Sequence, residues 1–65
     1  MQITNRVREM RQEKNITQGD LAKAVNVSRQ TIIAIEKGNY TPSLMLALQL
    51  SEFFNVSIED LFRLK

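Results

Sequence analysis

The stretch that decides the fold is TQGDLAKAVNVSRQTIIAIEKG, residues 17–38. It holds two short runs of apolar residues at helical spacing, over Gln18 to Val25 and over Arg29 to Lys37. Only residues 26–28 separate the two runs, and so short a connection sets two helices at a steep angle. The stretch therefore predicts a helix-turn-helix, with Ser28 as the cap of its second helix.

The same stretch carries clear signals for helix ends. Thr17 with Asp20 three residues later is typical of a capping box, in which side chains satisfy free N–H groups at a helix start. Asn26 and Gly38 follow the two helices, and Asn55 stands at the end of a later apolar run. Both residue types tolerate the left-handed conformation that often ends a helix, so each is expected to be a stop.

Further helices are predicted on both sides of this stretch. Apolar spacing favours a first helix over Thr4 to Lys14, ended by Asn15. Thr41 as cap and Pro42 in the first turn favour a fourth helix that extends to about Phe54. Because this fourth helix is apolar on nearly all sides, we expect it to be the most buried.

A last short helix is expected after Ser57, with Leu61, Phe62 and Leu64 near its end. The chain has 65 residues, which is the size of one small unit. We therefore expect an all-α fold: a compact bundle of five short helices, forming a single domain over residues 1–65, with the helix-turn-helix at helices 2 and 3.

Composition argues against most enzyme classes. The chain has no Cys and no His, which are the usual thiolate, general base and metal-ligand residues. The one pair of adjacent carboxylates, Glu59 and Asp60, is explained by the start of a helix. We therefore expect no enzyme activity, no cofactor, no bound metal and no small-molecule ligand.

The charged N-terminal segment MQITNRVREM is unlike a signal peptide, and the apolar run from Leu44 to Leu50 is too short to span a bilayer. A cytoplasmic protein is expected. Residues 1–40 hold seven Lys/Arg against four Asp/Glu, a net +3, whereas residues 41–65 hold two against three, a net −1. This asymmetry fits a half that faces a polyanion and a half that faces a partner, although a chance imbalance of surface charges explains it equally well.

The third helix presents a distinctive outward face. Ile32 and Ile35 lie at core spacing, which leaves a mixed polar and small set outside: Arg29, Gln30, Ile33, Ala34 and Lys37. Arg makes two-pronged contacts with guanine and Gln with adenine, whereas apolar side chains contact the thymine methyl group. The face therefore favours base reading in double-stranded DNA, with an ordinary solvated surface as the alternative.

Polar groups beside this face suit the DNA backbone. Gln18 and Ser28 open the two helices, and helix starts favour phosphate oxygens. Lys37, Asn39 and Tyr40 form a donor-rich loop after the third helix. The alternatives are that Ser28 serves only as a cap and that the Tyr40 ring only packs on the loop.

Four motifs in order make the chain resemble the lambda-repressor/Cro-type helix-turn-helix family, also called the XRE family: residues 17–22, 27–32, 35–38 and 42–44. The resemblance implies a five-helix bundle that binds DNA. It places Gln18 against a phosphate, and Lys37 with the loop after it against the backbone. It puts nearest the base edges Ser28, Arg29, Gln30 and Ala34.

The resemblance also implies a structural ion pair between Arg11 and Glu36. The residues themselves are consistent with it, because Arg11 follows the inward Met10 and Glu36 neighbours the buried Ile35. The chain departs from the family pattern at Gly19, inside a helix, and at Ile33, where a small polar residue is common. Met45 is apolar where a polar residue is usual.

Two functions are compatible with these sequence features. The first is a sequence-specific transcriptional repressor that inserts helix 3 into the major groove and acts as a homodimer through its C-terminal helix, by way of Phe62 and Leu64. Met45 or Phe53 could extend that interface, and the alternative for these apolar residues is the core. The second is an antitoxin-type interaction protein that binds a partner protein and regulates its own synthesis.

Overall fold

A computed structural model describes residues 2–65. They form five helices and one small sheet of two strands. In chain order the elements are β1 (Ile3–Asn5), α1 (Val7–Glu13), α2 (Gln18–Ala24), α3 (Arg29–Glu36), α4 (Leu44–Phe54), α5 (Ile58–Leu61) and β2 (Phe62–Leu64). The predicted five-helix bundle is confirmed, with a short sheet added to it.

The core is assembled from every helix. The largest fully buried side chains are one or two from each: Val7, Leu21, Ile32, Ile35, Leu50 and Leu61. Val27, in the turn between α2 and α3, is half-buried and packs against this core. Because Ile32 and Ile35 are one turn apart on α3, their burial fixes which side of that helix faces outward.

The predicted capping box and the asparagine helix ends are confirmed. The Thr17 hydroxyl accepts the Asp20 N–H and the Asp20 carboxylate accepts the Thr17 N–H, which completes the capping box. Asn15, Asn26 and Asn55 take the left-handed conformation with φ of 57°, 58° and 57°. These asparagines occupy positions where glycine is the more common residue.

Residues 4–5 and 62–64 were predicted as helix and lie in strands instead. Thr4 lies in β1, and the first helix begins at Val7, whose N–H the Asn5 side chain accepts at 3.1 Å. Phe62 and Leu64 lie in β2, antiparallel to β1, after α5 ends at Leu61. A pairing between residues about sixty positions apart leaves no periodic signal in strands of three residues, which explains the error.

The fourth helix begins later than predicted. Ser43 caps it rather than Thr41, accepting the Leu46 N–H at 3.1 Å, so Pro42 lies before the helix. It nevertheless has more buried residues than any other helix, namely Leu46, Ala47, Leu50, Ser51 and Phe54, which confirms the prediction that α4 is the most buried. Its remaining surface is open to solvent, where Leu44, Met45 and Leu48 are 70%, 71% and 51% exposed.

No helix within residues 2–65 has the length and apolar character needed to cross a membrane.

Candidate nucleic-acid interface

The outward side of α3 carries the side chains singled out as base readers. Arg29 and Gln30 are exposed, whereas Ile33 and Ala34 are half-buried. Arg29, Ile33 and Lys37 are spaced four residues apart and form one row along the helix, and Gln30 with Ala34 forms a second. The face is thus a mixture of long polar side chains and short apolar ones, standing clear of the core.

An ion pair holds the far end of this helix to α1. The Glu36 carboxylate accepts two hydrogen bonds from Arg11, from Nε at 2.7 Å and from Nη2 at 3.2 Å. The side chains are only 13% and 4% exposed, respectively for Arg11 and Glu36. The hydrogen bond with Glu36 raises the pKa of Arg11. Arg11 also donates to the Ile16 carbonyl at 3.0 Å, so its guanidinium ties α1 both to α3 and to the start of α2.

Gln18 extends this pair to the outward side of α3. Its side-chain Nε2 donates to Glu36 Oε1 at 3.1 Å, and its Oε1 accepts from Arg29 Nη2 at 3.4 Å. A continuous path of hydrogen bonds therefore runs from Arg11 through Glu36 and Gln18 to Arg29. The orientation of the Gln18 amide follows from the carboxylate beside it, because only the NH₂ group can donate to Glu36.

A concave surface between α1 and α3 collects positive charge. Arg8, Arg29 and Lys37 line it together with Ile33. Glu36 also lines this surface, but its negative charge is neutralised by the salt bridge with Arg11. The sequence pattern did not single out Arg8, which lies on the polar side of the first helix. Its place beside the outward side of α3 follows from the nonlocal packing of α1 on α3, which periodicity within one helix does not reveal.

The loop after α3 is held by its backbone. Gly38 has a φ of 79°, a conformation that suits glycine, and its N–H donates to the Ile35 carbonyl at 3.0 Å. The Asn39 N–H donates to the Ala34 carbonyl at 3.0 Å. These bonds turn the chain sharply, and Lys37, Asn39 and Tyr40 are all exposed at the C-terminal end of α3.

The Ser28 hydroxyl serves as a cap. It accepts the Thr31 N–H at 3.2 Å and lies 3.0 Å from the Thr31 hydroxyl. Ser28 is nevertheless exposed, next to Arg29, so its capping role leaves it accessible at the edge of the outward side of α3. Among residues 2–65, no three side chains of the His, Cys, Asp and Glu types gather in a way that could hold a metal ion.

A family model described as helix-turn-helix matches residues 7–61. The chain belongs to the helix-turn-helix family. A relative from Methanocaldococcus jannaschii, named as an HTH-type transcriptional regulator, is 59% identical over 60 residues, which cover 92% of this chain and 91% of the relative. The resemblance noted from the sequence motifs is therefore confirmed, and the chain is an HTH-type regulator rather than an enzyme.

Two further matches carry more specific names. The transcriptional repressor RstR of a cryptic Vibrio cholerae phage is 31% identical over 91% of this chain and 53% of its own length. The restriction-modification controller protein C.AhdI of Aeromonas hydrophila shares the fold with a TM-score of 0.78 and 27% identity, over 85% of this chain and 83% of the controller. The helix-turn-helix fold described above is thus shared along most of the chain.

The expected dimer patch of this helix-turn-helix protein needs a correction. Phe62 and Leu64 lie on strand β2 and not on a C-terminal helix. Phe62 packs against the core, as does Phe53, whereas Leu64 is 67% exposed and pairs with Ile3 across the sheet. Met45 lines a separate hollow beside Tyr40 and the turn between α2 and α3.

Proposed function

We propose that this helix-turn-helix protein binds double-stranded DNA in a sequence-specific manner, with α3 in the major groove. The observation that carries the proposal is the outward face of α3, where Arg29 and Gln30 are exposed beside Ile33 and Ala34. An α-helix fits the major groove, and these side-chain types match the donors, acceptors and methyl groups of base edges there.

The fixed position of α3 supports the same proposal. A reading helix must present its side chains in one orientation, and two buried isoleucines and the Arg11–Glu36 pair hold this one. Arg29 is further held by Gln18 at 3.4 Å. Less conformational freedom is then lost when Arg29 meets a base, which favours binding.

Backbone contacts supply most of the affinity in this proposal. Polar side chains lie at both ends of the outward face of α3: Gln18 at one end, and Lys37, Asn39 and Tyr40 at the other. Arg8 lies beside this face. Amide, hydroxyl and cationic side chains of this kind contact phosphates and set the register of a protein on DNA. DNA binding should therefore weaken steeply as salt rises, by a slope of about 0.9 in log affinity per neutralised phosphate.

We propose that two copies bind a palindromic site, because a single helix in the major groove specifies few bases. The two half-sites would then lie one turn of DNA apart, about 34 Å from each other. Two pairs of exposed apolar side chains are available for a dimer interface. Ile3 lies opposite Leu64 on the sheet, and Leu44 and Leu48 lie one turn apart on α4. We further propose that the protein represses transcription, as its relative RstR does by name. Such a role places it in the cytoplasm with the DNA.

The test of DNA reading is a selection of tight-binding sequences from random duplexes, followed by variants. Arg29→Ala and Gln30→Ala should each relax the preference at one base position, at a cost of about 1–3 kcal/mol for the preferred base. Lys37→Ala should weaken all duplexes alike. Arg63→Ala on β2 and Gln49→Ala on α4 remove the same chemical groups from exposed positions elsewhere, and should leave the preference as it is. An unchanged base preference in both α3 variants would refute the assignment.

The dimer is tested by sedimentation of Leu64→Glu, which should convert the protein to a monomer. Arg63→Glu places the same side chain on the opposite face of β2, because neighbouring residues of a strand alternate. This control should stay dimeric. A monomeric wild type, or a dimeric Leu64→Glu variant, would contradict the proposed interface.

A further inference from the structure

The N-terminal strand is joined to the reading helix by one side chain. Asn5 Nδ2 donates to the Ile35 carbonyl at 2.9 Å, between residues 30 positions apart. Asn5 Oδ1 accepts the Val7 N–H at 3.1 Å and so satisfies a free donor at the start of α1. The two functional groups of one amide thereby connect β1 and α1 with the C-terminal end of α3.

The carbonyl that Asn5 contacts is part of the turn that ends α3. Ile35 is fully buried, and its carbonyl also accepts the Gly38 N–H at 3.0 Å. Lys37 and the loop that follows it leave the helix at this point. Strand β1 also lies beside this turn, since residues of β1 and residues 36–38 line one hollow.

Glu36 and Ile35 are thus held from two different sides. The Glu36 side chain is held by α1 through Arg11, and the Ile35 backbone is held by β1 through Asn5. The ion pair fixes the helix, whereas the amide contacts the turn from which the loop departs. Without the amide, the turn keeps only its local hydrogen bonds, which allows the loop to shift while the helix remains in place.

We propose that Asn5 is a positioning residue for DNA binding: it holds the Lys37–Tyr40 loop in the position from which the Lys37 ammonium group contacts a DNA phosphate. This inference rests on the proposed function. Asn5 itself touches no base and acts only through the turn after α3. The base preference given by Arg29 and Gln30 is therefore independent of it, whereas the electrostatic part of the affinity depends on it.

The test uses variants that keep one half of the amide. Asn5→Asp and Asn5→Ser both retain an oxygen that can accept the Val7 N–H, but at neutral pH the carboxylate cannot donate to Ile35, and the serine is too short to reach it. Two variants are used in case one folds poorly. Ser57→Ala removes the cap of α5, which makes no hydrogen bond with the turn after α3, and is the control for a general loss of stability.

The measurement is the salt dependence of affinity for the selected duplex, with the wild type, Asn5→Ser, Asn5→Asp, Lys37→Ala and the Asn5→Ser/Lys37→Ala double variant, well below their melting temperatures. Asn5→Ser, which leaves the net charge unchanged, should lower the slope of log affinity against log salt by about 0.9 per bound protomer, the value for one lost phosphate contact. The double variant should match Lys37→Ala alone, and Ser57→Ala should keep the wild-type slope. In the free protein, the Gly38 amide should exchange with solvent faster in Asn5→Asp.

A wild-type slope in both Asn5 variants would overturn the inference, as would additive losses from Asn5→Ser and Lys37→Ala. Either result leaves the proposed function intact, provided that Lys37→Ala still lowers the slope. Failure of the wild type to bind any duplex would instead overturn the proposed function, and the inference with it.

Discussion

Glu36→Ala is expected to destabilise the protein strongly. It removes a carboxylate that is 4% exposed and leaves the Arg11 guanidinium, 13% exposed, without its anion. Breaking a buried pair on one side costs about 3–5 kcal/mol, and we expect about 3 kcal/mol because Arg11 keeps the Ile16 carbonyl and reaches the surface. Domains of this length have a total stability of about 3–10 kcal/mol, so most of it could be lost.

Thermal and urea unfolding followed by circular dichroism measure this loss. At about 4–8 °C per kcal/mol for a small domain, the melting temperature should fall by about 12–24 °C. Glu9→Ala breaks the exposed pair with Arg6 and is the matched control, which should melt close to the wild type. The double substitution Arg11→Met/Glu36→Leu should recover much of the loss, because it removes both charges and keeps the packing. A Glu36→Ala melting temperature equal to that of Glu9→Ala would refute the reasoning.

Two more expectations concern backbone conformation and pH. Gly19→Ala should stabilise the protein by up to about 1 kcal/mol, since a Cβ there would meet only the Thr17 hydroxyl at 3.7 Å. Gly38→Ala should instead cost about 1 kcal/mol or more, because an alanine is strained at its φ of 79°. Equal shifts in melting temperature for the two variants would contradict this contrast. The hydrogen bond from the Thr17 backbone N–H lowers the pKa of Asp20, so its contribution is present above the ordinary Asp value of about 3.9 and is lost as pH falls through the lower folded value. The melting gap between the wild type and Asp20→Asn should therefore exist at pH 7 and close in acid, and a gap that persists at pH 2 would argue against this origin.

Sequence-based prediction succeeded where the determining interaction is local. The Thr17–Asp20 box spans three residues, and an asparagine in the left-handed conformation depends only on its own backbone. The outward face of α3 also follows from local periodicity, because the burial of Ile32 and Ile35 leaves the other side in water. The fold class and the outward face of α3 could therefore both be predicted from the order of the residues.

Interactions between distant parts of the chain could not be predicted in the same way. Ile3 pairs with Leu64 from the other end of the described chain, and a strand of three residues is too short to show the alternating pattern that would predict it. The place of Gln18 between Glu36 and Arg29 depends on how the start of α2 lies against both ends of α3. Residue types alone assigned Gln18 only a phosphate, because its protein partners are set by how α2 packs on α3.

The central claim, that α3 reads DNA with its outward face, is tested most directly by NMR titration of the ¹⁵N-labelled protein with the selected duplex. We predict that the largest shifts fall on the amides of Arg29, Gln30, Ala34 and Lys37, while those of β2 change little. Shifts concentrated on β2 or α4, with the α3 amides unmoved, would contradict it.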